Sequence, residues 1–157
     1  YIVYRLSGKN WIKIKQISKN TTVSFISSKL RAGTEWKYKV VAYKKHGNSV
    51  VKNVGSQISS VTLPTAPVVV IRAGKGSVTL GWNGVTGADG YEVYMRTTKK
   101  GKSTKIATLK KASKVKYTKK GLAKNKTYYV NVRAFKKDAK GRKYYSSYST
   151  VKAVKAK

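Results

Sequence analysis

Residues 30–45, Leu-Arg-Ala-Gly-Thr-Glu-Trp-Lys-Tyr-Lys-Val-Val-Ala-Tyr-Lys-Lys, align without a gap on residues 122–137, Leu-Ala-Lys-Asn-Lys-Thr-Tyr-Tyr-Val-Asn-Val-Arg-Ala-Phe-Lys-Lys. Leu30 matches Leu122, Trp36 matches Tyr128, Val40 matches Val132, Ala42 matches Ala134, and both copies end in Lys-Lys. Tyr1-Ile2-Val3-Tyr4 likewise matches Tyr91-Glu92-Val93-Tyr94. An internal repeat constrains a fold more than any single motif does, because each copy must be one structural unit. The 157 residues therefore divide into two small domains of under ~100 residues each.

The period of the apolar residues fixes the kind of unit. Val78, Leu80 and Trp82 fall on one face and Thr79 and Gly81 on the other, the pattern of a half-buried strand. A Gly- and Asp-rich connection, Asn83 to Gly90, leads to a second alternation of Tyr91, Val93 and Met95 against Glu92, Tyr94 and Arg96. In the second copy this reading predicts strands near Val68–Ile71, at Ser77–Trp82, Tyr91–Thr97, Thr104–Leu109, Val115–Thr118, Thr127–Lys136 and Tyr144–Val154. Seven short strands with polar turns between them predict an antiparallel sandwich.

The run from Trp82 to Tyr94, together with Leu122-x5-Tyr128-x-Val130-x-Val132-x-Ala134, resembles the fibronectin type III family. The resemblance implies an all-β fold of two tandem immunoglobulin-like antiparallel sandwiches, the first lacking its strands A and B. The expected domains are a partial repeat over residues 1–63 (strands C to G), a linker over 64–67 and a complete repeat over 68–157. It also implies that Tyr128 is a corner tyrosine, its ring buried and its hydroxyl bonded back to the loop before strand F. Leu80, Trp82, Tyr91, Val93, Leu122, Tyr128, Val130 and Val132 are then the core of the second repeat. Burying each large side chain among them is worth about 1.5–3 kcal/mol.

The first copy departs from this pattern. Trp36 stands at the corner position and brings no hydroxyl. The 25 residues that run from Ala66 to Gly90 ahead of Tyr91 have no counterpart ahead of Tyr1, so the layer that should cover the first sheet is missing. Tyr1-Ile2-Val3-Tyr4-Arg5 reads as mid-strand, and the chain is expected to be a piece of a longer protein. Truncation ahead of Tyr1 is the plain explanation of the missing strands; a half-covered sheet also invites pairing with another chain, and the alternative is a strand from a partner completing the first repeat. Leu63-Pro64-Thr65-Ala66-Pro67 reads as a short, stiff connection.

Charge sets the expected partners. Thirty-six Lys and Arg stand against four acids, a net charge of +32. Such a surface projects a positive potential over a Debye length, ~8 Å at physiological salt, and its natural neighbour is a polyanion. Only Arg5, Arg31, Arg72, Arg96, Arg133 and Arg142 are arginines. Lys is a hydrated point charge where Arg forks onto guanine or phosphate, so the balance favours diffuse attraction over a specific nucleic-acid reader. No apolar run approaches the ~20 residues of a membrane span. Zero cysteines exclude disulfides and thiolate metal sites.

Catalytic signatures are absent from the pattern. His46 is the sole histidine and is read as a solvated loop residue. Asp89 and Glu92 are close in sequence but assigned to a turn and to an outward strand face. Gly101-Lys102-Ser103-Thr104 imitates the end of a phosphate-binding loop but lacks its first glycine and its helix. No enzyme activity, cofactor or metal is expected. One constellation has physical content: Tyr94 and Arg96 on strand C, Tyr129, Arg133 and Phe135 on strand F, with Lys137 and Tyr145 beside them. If exposed, this face interleaves aromatics with cations, a surface that stacks sugars or bases while holding phosphate or carboxylate.

The resemblance extends to Lys-rich, cysteine-free repeats of exported or surface-attached proteins of Gram-positive bacteria. It implies a non-catalytic structural or adhesive spacer, extracellular or on the cell surface, associating with anionic cell-wall polymer or glycan. The alternatives are a polyanion- or nucleic-acid-binding module and an accessory domain of a secreted glycan hydrolase or peptidase.

Overall fold

The computed structural model describes all 157 residues, which form strands and connections without a helix. Two compact units result, residues 1–31 with 35–62 and residues 32–34 with 63–157.

In the first unit, β1 (Ile2–Ser7), β2 (Asn10–Gln16), β3 (Glu35–Val41) and β6 (Ser56–Val61) form one antiparallel sheet in the order β2-β1-β3-β6. β4 (Tyr43–His46) and β5 (Ser49–Lys52) form a separate two-stranded ribbon. His46 thus ends a strand, opposite Ser49, and is exposed; the expected loop is confined to the two residues between them.

The second unit contains β7 (Val69–Gly74), β8 (Ser77–Trp82), β9 (Gly90–Arg96), β10 (Thr104–Leu109), β11 (Lys116–Lys120), β12 (Thr127–Lys137), β13 (Lys143–Tyr145) and β14 (Lys152–Lys155). One sheet runs β10-β9-β12, with β13 and β14 both on the far side of β12; the other runs β11-β8-β7. Their facing side chains make one core. Val78, Leu80 and Trp82 come from β8, Tyr91, Val93 and Met95 from β9, and Tyr128, Val130 and Val132 from β12, with Leu122 packed against them. Alternation puts these residues inward because successive side chains of a strand point to opposite faces. Trp82 and Tyr91 meet edge-on at 5.2 Å between ring centroids.

Two tyrosine hydroxyls close this core. The Ala123 N–H donates to the Tyr128 hydroxyl at 3.0 Å, and the Val85 N–H donates to the Tyr91 hydroxyl at 2.9 Å. Each rings a loop onto a buried aromatic.

The last strand is not continuous over Tyr144–Val154 as its alternation suggested. It is cut into β13 and β14, and two serines bridge the gap. Ser146 N–H donates to the Ala134 carbonyl while its hydroxyl accepts from the Ala134 N–H, both at 2.9 Å. Ser149 does the same with Val132, at 2.8 and 3.0 Å. A hydroxyl standing in for a backbone carbonyl lets the strand bend without orphaning a buried donor. Ser146→Ala or Ser149→Ala leaves such a donor unpaired and is expected to cost about 1–3 kcal/mol each in urea unfolding, whereas Ser147→Ala is expected to cost almost nothing.

The expected strand E of the first unit does not form: residues 17–34 contain no strand. Extending the repeat alignment, Val23 and Phe25 match Val115 and Tyr117, the inward residues beside and on β11. In the second unit β11 pairs with β8, and the first unit has no counterpart of β8 to pair with. The physical cause is the missing partner, not a poor strand sequence. Val23 is consequently 88% exposed; Ile26, at the position of the outward Thr118, is 87% exposed. An open groove of about 290 Å³ lies over the inner face of the sheet, lined by Val3, Phe25, Leu30, Trp36, Tyr38 and Val40 among others. The Trp36 indole N–H and the Tyr38 hydroxyl are buried there without hydrogen-bond partners. In the second unit the hydroxyl of Tyr128, at the position of Trp36, is satisfied, and Val130, at the position of Tyr38, has none to satisfy.

Candidate functional site

The outer face of the β9–β12 sheet is where the aromatic and cationic residues were expected to lie open. Pairing sets Glu92 opposite Arg133, Tyr94 opposite Asn131, and Phe135 opposite Gly90. Glu92 is fully buried, and its carboxylate is the centre of the face. Oε2 accepts from Arg133 Nη2 at 2.8 Å, Arg133 Nε at 3.1 Å and the Tyr94 hydroxyl at 2.7 Å. Oε1 accepts from Lys105 and Lys143, each at 3.3 Å, and from the Tyr145 hydroxyl at 3.4 Å.

Stacking completes the cluster. The Arg133 guanidinium lies 3.6 Å from the Tyr145 ring centroid and 5.2 and 5.1 Å from those of Tyr94 and Tyr148. Tyr94 and Tyr148 meet edge-on at 5.1 Å. Burial alone would raise the Glu92 carboxyl, but hydrogen bonds from Arg133, Tyr94, Lys143 and Lys105 outweigh it and hold the group down at about 2. Burial, and then its hydrogen bond to the Glu92 carboxylate, push the Tyr94 hydroxyl above the usual phenol range. Near neutral pH the acid is therefore ionised and the phenol protonated, and neither is poised to exchange a proton.

This geometry corrects the expectation of an open platform. Tyr94 and Phe135 are buried, Phe135 completely. The Phe135 ring covers Gly90, where a Cβ would come within 2.6 Å of it. Tyr145 packs on Phe135 edge-on at 6.4 Å, and the Lys143 ammonium sits 4.4 Å from its centroid. Arg133 is spent on Glu92. Arg96 is tied down as well, donating to the Thr98 and Lys99 carbonyls and to the Ser103 hydroxyl at 3.0–3.2 Å, with Tyr129 at 5.8 Å. Of the seven residues expected to form the platform, Lys137 alone is exposed. The physical reason is the buried carboxylate: it draws Arg133, Lys105 and Lys143 onto itself, cancels one of their three charges, and leaves Arg133 stacked under Tyr145.

The first unit shows what this cluster replaces. β1 and β3 pair in the same register as β9 and β12: Val3 faces Val40 as Val93 faces Val132. Ile2 and Val41 occupy the positions of Glu92 and Arg133, and both are 5% exposed. One repeat fills this site with an ion pair and the other with two aliphatic side chains, so the register accepts apolar packing at this position. The alignment of Ile2 with Glu92 and of Val41 with Arg133 was readable in the sequence.

The remaining acids of the second unit are also engaged internally. Asp89 pairs with Lys136 at 2.9 Å and accepts from the Lys137 N–H at 2.7 Å. Asp138 pairs with Arg142 at 2.7 Å and accepts from the N–H groups of Lys140 and Arg142 at 2.9 Å each. No three His, Cys, Asp or Glu side chains converge as metal ligands would.

No protein-family model and no curated protein matches the chain. Solved structures do. A segment of two fibronectin type III domains from chicken tenascin superimposes with a TM-score of 0.65 at 22% identity, covering 99% of this chain and 83% of that one. A β-1,2-glucanase from Parabacteroides distasonis matches with a TM-score of 0.50 at 16% identity, over 68% of this chain and 17% of the enzyme. An Fn3-like protein from Clostridium thermocellum is 28% identical over 60% of this chain and 91% of its own, with a TM-score of 0.46. The fold is that of fibronectin type III domains.

Proposed function

We propose that this chain is a non-catalytic structural module of a secreted or cell-surface bacterial protein, held by its positive surface against an anionic wall polymer or glycan. The observation that carries this reading is the distribution of charge. Residues 63–157 hold twenty-four Lys and Arg against three acids, and all three acids are engaged with neighbouring side chains. Most cations are left to the solvent, where self-repulsion costs stability unless a polyanion neutralises it. The fold supports a structural role, and the likeness to part of a glucanase fits a place beside a glycan-cleaving domain, though fold alone assigns no activity. The protein is expected to bind immobilised poly(glycerol phosphate) but not dextran, with affinity falling more than about tenfold between ~50 mM and ~200 mM salt. Equal retention on both polymers, or none on either at low salt, would overturn this reading.

The uncovered sheet of the first unit favours a second role. In the second unit the hairpin β7–β8 covers the equivalent face. The matching occupant for the first is therefore a β-hairpin of the same alternation, which either residues ahead of Tyr1 in a longer chain or a partner chain would provide.

A further inference from the structure

The polyanion attributed to this module needs a surface, and the β9–β12 face does not supply one. The other sheet does. On its outer face three rungs cross the strands: Lys116–Gly81–Val70, Thr118–Thr79–Arg72 and Lys120–Ser77–Gly74. The central strand presents only Gly81, Thr79 and Ser77, because Val78, Leu80 and Trp82 point into the core. A shallow open groove of about 500 Å³ lies over the Gly81–Thr79 end of this floor, bordered by Val70, Arg72, Trp82 and Lys116, with Lys120 beyond it on the same face. Arg72, Lys116 and Lys120 are exposed and make no ion pair. The strip that includes β11, residues 110–126, contains eight lysines and no acid.

The spacing selects a ligand shape. Lys116 and Lys120 lie about 13–14 Å apart along β11, and Arg72 lies midway between them, about 10 Å across the sheet. Cations thus alternate from edge to edge of the sheet face every ~7 Å along the strands, a rise that suits an extended chain with one anionic group per short repeat. The floor offers hydroxyls, Thr79 and Thr118 within 3.0 Å of each other, and the aromatic that borders the groove, Trp82, is 5% exposed with its ring in the core, so it presents no open stacking face. Without an aromatic platform, bases gain nothing by stacking, while polyol hydroxyls can bond to threonine and serine.

We propose that the outer face of the β7–β8–β11 sheet is the docking site for an extended phosphodiester-linked polyol. This rests on the polyanion reading above and locates it. Two charge-matched triple variants test the placement, Arg72→Gln/Lys116→Gln/Lys120→Gln on this sheet and Lys100→Gln/Lys102→Gln/Lys137→Gln away from it, in the β9–β10 connection and at the end of β12. Against poly(glycerol phosphate) at ~0.1 M salt the first is expected to lose about tenfold or more, and its salt slope to fall by about 2, from three contacts at ~0.7 each. The second is expected to lose no more than about twofold. Oligo(dT) with the same number of phosphates is expected to bind more weakly and to respond to both triples alike. Equal losses for poly(glycerol phosphate) would overturn the placement, and tighter oligo(dT) binding on this face would overturn the polyol assignment. Absence of binding by the wild-type chain would instead overturn the polyanion reading itself.

Discussion

Replacing Glu92 with isoleucine is expected to destabilise the second unit by about 3–5 kcal/mol, the cost of leaving a buried cation unpaired. Adding Arg133→Val is expected to recover most of that loss, to within about 1–2 kcal/mol of the wild type. The pair Ile2–Val41 shows that this register accepts aliphatic side chains, and apolar replacement of a buried ion pair is often neutral. Lys105 and Lys143, 48% and 30% exposed at their side chains, can turn to solvent once the carboxylate is gone, whereas Arg133 is held beneath three tyrosines. The coupling is read from a double-mutant cycle in urea; additive losses would show that the cluster does more than pack. The same carboxyl gives a pH signature. Its folded value, about 2, lies below its ordinary value, so its contribution is fully present above the unfolded pKa and is lost as pH falls from there toward 2. The wild type should lose this stability on acidification, and the double variant should not.

Placing a second copy of residues 66–90 directly ahead of Tyr1 is expected to have a comparable effect of opposite sign on the first unit. That segment contains β7 and β8 and ends where β9 begins, so the copy would stand to β1 as the original stands to β9. Covering Val40 and what remains open of Trp36 and Tyr38, where a large side chain fully buried is worth about 1.5–3 kcal/mol, is expected to raise the stability of the first unit by about 3 kcal/mol. It should also give residues 23–28 a strand to pair with. Amide exchange would show new protection over 23–28 and 36–40. No change in either would contradict the repeat correspondence on which the hairpin reading stands.

Strand placement in the second unit was legible because alternation is strict where one face is buried: Val78, Leu80 and Trp82 announce β8, and Tyr91, Val93 and Met95 announce β9. Three features were hidden for distinct reasons. Residues 23–28 alternate like a strand, but a strand exists only with a partner. Tyr144 to Val154 reads as one strand, because a serine hydroxyl replacing a carbonyl leaves no mark on hydropathy. Tyr94, Arg133 and Phe135 were placed on the correct face but taken as open, since period two gives the side and not what covers it. Glu92 was the available clue. In a chain of +32, an acid in the middle of a strand collects cations, and those cations are no longer free for a ligand. The groove over Gly81 went unread because Ser77, Thr79 and Gly81 look like ordinary outward residues until β11 and β7 set Lys116, Lys120 and Arg72 beside them.

The proposed docking face is the β7–β8–β11 sheet and not the β9–β12 sheet. Backbone amide chemical shifts of the wild-type chain, followed as poly(glycerol phosphate) is added, test this most directly. Shifts concentrated on β7, β8 and β11, at Val70, Arg72, Thr79, Gly81, Lys116 and Thr118, with β9, β12 and β13 nearly still, are the predicted result. Shifts centred on Tyr129, Arg133 and Tyr145 would contradict it.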